Sequence, residues 1–289
     1  MKFSRPVSDV ITVRSSCRSY REEPIEAQHR KIIEDILHRE ETGPFGNVPR
    51  FILVASSPGD GDALRGLGTY GFIKNPAAFI VGAVKNNHGH LEDYGYVMEK
   101  FILRATDIGI GSCWLGGSFK KSSFADKISP AAGEAVPAVV SLGYGLQNRT
   151  LVDSLVRFSA GSKKRKPWEE IFFHGKFSVP LSGIEAGDYA GPLEMLRRAP
   201  SASNKQPWRI VRVPEENIYH FFLERSSSYK ISLKLIRAAD LQRVDMGIGM
   251  CHFELTAREQ GLRGIWKTTP PENIPVPAGT EYIVTWRGE

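Results

Sequence analysis

Hydrophobic and polar positions alternate along this chain with two periods. Apolar residues recur at three- and four-residue spacing near 26–40, 92–108, 187–199 and 240–260, which predicts helices. Short apolar runs near 50–56, 77–84, 137–143, 208–213 and 281–286 predict strands. Helices standing alone between scattered short strands predict an α+β fold rather than a regular doubly wound sheet.

The pattern occurs twice. DYGYVMEKFILRATDIGIGSCW, from Asp93 to Trp114, aligns without a gap with DMGIGMCHFELTAREQGLRGIW, from Asp245 to Trp266, at an offset of 152 residues. Asp93/Asp245, Gly95/Gly247, Met98/Met250, Phe101/Phe253, Ala105/Ala257, Gly109/Gly261 and Trp114/Trp266 match. In each copy the Asp is placed to cap a helix. Met, Phe and Ala share one helical face. The late Gly falls where a helix ends in a left-handed residue. A second pair, Glu34 to Val54 and Leu193 to Val213, aligns upstream at an offset of 159, in the same order. Internal repetition of this kind predicts two related lobes, 1–177 and a shorter 178–289, joined by the charged stretch SAGSKKRKPWEEIFFHGKF.

Composition narrows the function classes. With 41% hydrophobic and 24% charged residues, the 289-residue chain has an ordinary globular balance. There is no apolar run of about 18 residues and no apolar leader core, so neither a membrane span nor a secretory signal is expected. Three cysteines without a CxxC argue against a disulfide framework or a zinc site, and a cytoplasmic location is expected. His88 and His90 come closest to a metal pair, but no third ligand stands at motif spacing, and a polar loop explains them. The net charge of +6 points to an anionic or phosphorylated partner. No aromatic-interleaved pattern accompanies the Lys163–Lys166 run, which argues against nucleic acid. No GxGxxG follows a strand and no Walker motif is present.

Two segments carry candidate chemistry. In VRSSCRSYREEPIE, Arg14, Ser16 and Arg18 place two guanidinium groups and a hydroxyl within five residues, a set suited to a phosphomonoester. A solvated basic turn would have the same composition. In LRRAPSASNKQPWRIV, Pro200 and Pro207 restrain a loop crowded by Ser201, Ser203, Asn204 and Gln206. Amide and hydroxyl groups at this density can read a heteroaromatic edge, or can satisfy their own turn.

These segments, with DIGIGSCWLGG and VVSLGYG, resemble signatures of the FMN-dependent nitroreductase superfamily over nearly the whole chain. The QPW loop is the most specific of them. The resemblance implies a nitroreductase-like fold and an FMN held between two halves that are separate subunits in the family's homodimers. Here the Arg-rich motif occurs only in lobe 1 and the intact QPW loop only in lobe 2. At the offset of 159, Pro200, Asn204 and Gln206 stand opposite Glu41, Phe45 and Asn47, while Arg14 and Arg18 stand opposite Phe173 and Phe177. The expectation is therefore a fused pseudo-dimer, acting as a monomer, with one complete site and one FMN per chain.

The resemblance also implies roles. Arg14, Ser16 and Arg18 hold the phosphate and one edge of the flavin, with Ser15 standing where the motif usually has a second Arg or His. Lys163 and Arg165 resemble a late basic pair that meets the same phosphate. Backbone groups at Leu115, Gly116 and Gly117 face the ring where glycine permits close approach. Pro200, Ser201, Ala202, Asn204 and Gln206 line it from lobe 2, and Tyr70 and Gly71 approach the pyrimidine. The implied activity is NAD(P)H-driven, ping-pong reduction of a small nitroaromatic or quinone-like acceptor. A flavin-binding storage or sensing protein without turnover is the alternative reading.

Overall fold

The computed structural model describes residues 2–56, 63–146, 164–225 and 239–289. Lys163, expected in the basic pair, lies outside these described residues. Lobe 1 runs α1 (Val7–Val13), α2 (Ala27–Leu37), β1 (Arg50–Ala55), β2 (Ala78–Lys85), α3 (His90–Asp107), β3 (Gly111–Leu115), α4 (Lys121–Ile128), β4 (Glu134–Ala135) and β5 (Val139–Gly143). It is followed by β6 (Phe172–His174), α5 (Gly183–Ala186), α6 (Ala190–Arg198), β7 (Trp208–Arg212), β8 (Ile218–Glu224), α7 (Leu241–Glu259), β9 (Gly264–Lys267) and β10 (Thr280–Gly288). The fold is α+β, as the pattern predicts.

The repeat in sequence is a repeat in topology. One sheet has the order β1-β2-β5-β3, with β4 on the edge of β2, and the other has β6-β7-β8-β10-β9. Without β4 and β6 the two orders correspond strand for strand. β6 is the exception in direction as well as in origin. It pairs parallel with β7, through Phe172 and Ile210, although residues 172–174 precede the expected lobe boundary. The segment leaving lobe 1 thus completes the sheet of lobe 2. Among the described residues, nothing corresponding to α4 follows β9 in the shorter lobe 2, and the connection between β7 and β8 is far shorter than that between β1 and β2.

The central helices α3 and α7 are buried nearly all round and pack on each other. Met98, Phe101 and Ala105, and likewise Met250, Phe253 and Ala257, belong to one hydrophobic core running through both lobes. The helices touch where both are glycine. A Cβ on Gly95 would fall on the Val244 carbonyl, and a Cβ on Gly247 would fall on the Glu92 carbonyl. Glu92 and Val244 are themselves one offset of 152 apart, so the crossing is self-reciprocal, as at a two-fold axis. Gly109 and Gly261 end the two helices with φ of 85° and 78°, as expected.

The paired aspartates do not cap these helices. The first helical residues are His90 and Leu241, so Asp93 lies in the first turn of its helix and Asp245 just past the first turn of its own. Each carboxylate reaches sideways instead. Asp93 accepts the amides of Phe45 and Asn47, at 2.9 and 2.8 Å. Asp245 accepts the amide of Ala202. Helix ends have several orphan donors that water can satisfy, whereas these half-buried loop amides are met by the carboxylates. β8 and the short α1, α4 and β6 were not singled out by periodicity, because each is brief or continuously apolar.

A candidate cofactor cleft between the lobes

A cavity of about 390 Å³ lies where the lobes meet. Ser16 and Arg18 line it from the N-terminal motif, and Trp114, Gly116, Gly117 and Ser118 from the end of β3 and the turn after it. Pro200, Ser201, Ala202 and Ser203 line it from the second lobe's loop, and Leu241, Val244, Asp245 and Ile248 from the start of α7. Its size is ordinary for a small-molecule site, for which about 300–1,000 Å³ is typical.

Local pairing explains these positions. The Cys17 amide donates to the Ser112 carbonyl at 2.8 Å, seating the Arg-bearing segment along β3. A Cβ on Gly116 would strike the Leu241 side chain, whereas one on Gly117 would meet nothing within 4 Å. Gly116 is therefore needed for lobe packing, and Gly117 leaves its backbone open toward the cavity.

The loop of lobe 2 is held under strain. Ser203, Asn204 and Gln206 have φ of 49°, 53° and 48°. Each such residue with a Cβ costs of order 1 kcal/mol, so the surroundings must over-determine the loop. They do. Asp245 accepts Ala202 N, and Ser201 Oγ accepts Gln206 N at 2.9 Å. Burial pushes the Asp245 carboxyl well above the ordinary carboxylate range, and the Ala202 amide offsets this in part.

Asn204 and Gln206 are turned away from the cavity. Gln206 Oε1 accepts the Lys166 amide at 2.8 Å, and Asn204 Nδ2 donates to the Lys164 carbonyl at 2.9 Å. Asn204 Oδ1 also accepts from Arg165 at 3.2 Å. These amides clamp the extended segment 164–166. Of the loop residues expected to line the ring, Pro200, Ser201 and Ala202 line the cavity, and Asn204 and Gln206 do not.

The clamp gathers cations. Burial, then Arg14, then Arg197 and Arg198 push the Arg165 guanidinium down to about 10. Arg14 is itself nearly enclosed, with Nε 3.9 Å from Glu99 Oε1. Arg14, Ser15, Leu115 and Arg165 do not line the cavity. Tyr70 and Gly71 do not line it either, and Tyr70 is 69% exposed; their neighbour Phe72 does. Phe72, Ser118 and the face of α7 escaped sequence reasoning. The 241/244/248 spacing was the readable signal for that face.

The pseudo-symmetric counterpart is lined differently among the described residues. Gly116, Gly117 and Ser118 correspond to Thr268, Thr269 and Pro270, and Ile248 to Tyr96. The Thr269 carbonyl is taken by Tyr282 Oη at 2.8 Å, and Tyr96 Oη donates to Glu254 at 2.7 Å. Phe45, opposite Asn204, fills the space at Gly89. Among the described residues there is no metal-holding cluster, and no helix is long and apolar enough to cross a membrane. None of the three cysteines is in a disulfide.

Comparison with known proteins agrees with this architecture. The family model described as "Putative TM nitroreductase" matches residues 7–257. The crystal structure of a "putative nitroreductase" from Thermotoga maritima MSB8 superposes with a TM-score of 0.60 at 20% identity, covering 99% of this chain and 95% of that one. That likeness shows the fold, extended over both lobes. A nitroreductase family protein from Clostridium difficile 630 matches at 18% identity and TM-score 0.39, covering 53% of this chain and 90% of its own. A nitroreductase with bound FMN from Bacteroides fragilis NCTC 9343 matches at 19% and 0.39, over 51% and 92%. No curated protein matches the chain. The match over residues 7–257 assigns the chain to the nitroreductase family that this model describes.

Proposed function

We propose that the cleft holds one FMN per chain and that the protein is an NAD(P)H-dependent flavin oxidoreductase acting on small nitroaromatic or quinone-like acceptors. The observation that carries this reading is the juxtaposition at the lobe junction. A cavity with apolar walls on one side and polar groups on the other lies at this junction. Arg18 lines it, while burial, with Arg14, Arg197 and Arg198, pushes the Arg165 guanidinium down; a phosphate would add negative charge to this cluster. Phe72, Trp114, Leu241, Val244 and Ile248 suit a planar ring system.

Bound flavin would supply the hydride chemistry, which no side chain here replaces. The chain's own part is binding and orientation. Arg14, Ser16, Arg18 and Arg165 hold the phosphate. The backbone of Gly116 and Gly117, which line the cavity just after Leu115, would offer amides to the ring's polar edge. Pro200, Ser201 and Ala202 close it from lobe 2. Reductant and acceptor then take turns in the space that remains, which gives ping-pong kinetics.

The test is a flavin titration of purified protein followed by bleaching with NADH or NADPH. A ratio near one FMN per chain is expected, and a ratio near two overturns the single-site reading. The double change Arg14→Ala, Arg18→Ala is expected to strip the flavin and leave the fold. Bound flavin that NAD(P)H and acceptor never turn over would favour a storage or sensing role instead.

A further inference from the structure

A second cavity, of about 600 Å³, is bounded by the segment before α1, by α3 and by the C-terminal half of α7. Two of its residues relate it to the cofactor cleft. Thr42 stands opposite Ser201 at the offset of 159, and Tyr96 opposite Ile248 at the offset of 152. Ser201 and Ile248 both line the cleft. The groove therefore lies on the pseudo-symmetric side of the lobe junction, with different chemistry in its walls.

Phe3, Leu255 and the ring of Tyr96 form its apolar part. Its charged part is unequal. Lys2, Arg5, Lys100 and Arg258 stand against Glu254 and Glu259. Both carboxylates are engaged by protein donors. Glu254 accepts Tyr96 Oη, the Trp266 indole N–H and Arg258. Glu259 accepts the Val7 amide and, at 2.8 Å, the Ser8 hydroxyl. Lys100 is paired with Glu41, so the two guanidinium groups are what the groove presents. Arg258 meets Glu254 through Nε and Nη2, and its side chain is 63% exposed. Arg5 Nε stands 3.8 Å from Asp107, beyond hydrogen-bond distance, and Asp107 also serves Arg104 and Ser4. A guanidinium carries five N–H donors in a fixed fork, so both arginines keep donors for a further acceptor.

We propose that this groove is a second binding site, for a small organic anion. One ring lies against Phe3, Tyr96 and Leu255, and one carboxylate is met by Arg5 and Arg258. The site shares no residue with the cofactor cleft and does not rest on the flavin reading. A second flavin is not its ligand, because this side of the junction carries Thr268 and Thr269 where the cleft has Gly116 and Gly117.

The experiment is calorimetric titration of the full chain, saturated with FMN, with benzoate and with its uncharged analogue benzamide. One benzoate per chain is expected, bound about tenfold more tightly than benzamide at low salt. High salt should shrink that preference, since the arginines are exposed. Arg5→Gln and Arg258→Gln should each reduce it to about threefold or less. Thr42→Trp puts an indole into the groove from an exposed position. It should abolish binding of both ligands and leave the FMN content unchanged. No benzoate binding, equal affinity for the two ligands, or a preference kept in both arginine variants overturns the inference. Benzoate binding that survives Thr42→Trp also overturns it, by placing the ligand elsewhere. If Arg258→Gln does not fold, Arg5→Gln and Thr42→Trp decide. A chain that takes up no flavin is titrated as it stands. Benzoate binding lost in Thr42→Trp then upholds the groove while the flavin reading fails, and binding kept there sinks both.

Discussion

Asp245 accepts the Ala202 amide with both carboxylate oxygens, at 3.0 and 3.1 Å. Asp93 holds the counterpart loop through Phe45 and Asn47. Replacing either by Ala should cost about 1–3 kcal/mol, because buried amides lose their acceptor. Only Asp245→Ala should also weaken FMN binding, by tenfold or more, since only that loop borders the cleft. Paired thermal melts and flavin titrations separate the two outcomes.

The glycines make a sharper contrast. Gly247→Ala and Gly95→Ala push a methyl group onto backbone, so each should destabilise by about 3 kcal/mol or more in chemical denaturation. Gly117→Ala meets open space and should leave the denaturation midpoint within about 0.5 kcal/mol of wild type. It should nevertheless lower flavin affinity, because the methyl group stands where the ring must approach.

Arg165→Gln should separate stability from binding. It removes one cation from a group that repels Arg14, Arg197 and Arg198, and Gln retains a donor for Asn204. Apo protein should melt no lower than wild type, while FMN affinity falls at least tenfold through the lost charge-assisted contact. A lower apo melting temperature with unchanged affinity would falsify the anion-site reading of this residue.

Two buried groups should give opposite pH dependence. Burial, with Arg287, pushes His220 down to about 4, so its neutral form stabilises the fold above pH about 6.5 and that contribution is lost as pH falls toward 4. Burial pushes Asp93 up to about 6, so its contribution is present below pH about 4 and is lost as pH rises through 6. Each is worth roughly 2–3 kcal/mol. Across pH 4–6 they oppose each other. Relative to wild type, His220→Asn should lose stability with rising pH over that range, and Asp93→Asn should gain it. Urea titrations at a series of pH values read both slopes.

Most of the fold was legible because its central elements repeat. Met98, Phe101 and Gly109 recur as Met250, Phe253 and Gly261 with one spacing, and periodicity needs no tertiary knowledge. The cleft was legible where a motif is itself the wall, as at Ser16, Arg18, Gly116 and Ser201. It was not legible where contact depends on which neighbour arrives first. Asn204 and Gln206 have the same hydrogen-bonding groups whether they face a ring or the 164–166 backbone. Asp93 and Asp245 stand near a helix start, and only the packed loops reveal what they hold. Leu241, Val244 and Ile248 formed an ordinary apolar helical stripe until the other lobe was placed against it.

The reciprocal crossing of Gly95 and Gly247 carries a consequence for how such a protein can vary. Between two identical subunits every substitution lands twice, once on each side of the axis, and a change useful at one site is imposed on the other. In one continuous chain each substitution lands once. The same axis can then keep its tight, glycine-bound contact while the surfaces around it drift apart. Thr268, Thr269 and Phe45 stand on one side, and Gly116, Gly117 and Asn204 on the other.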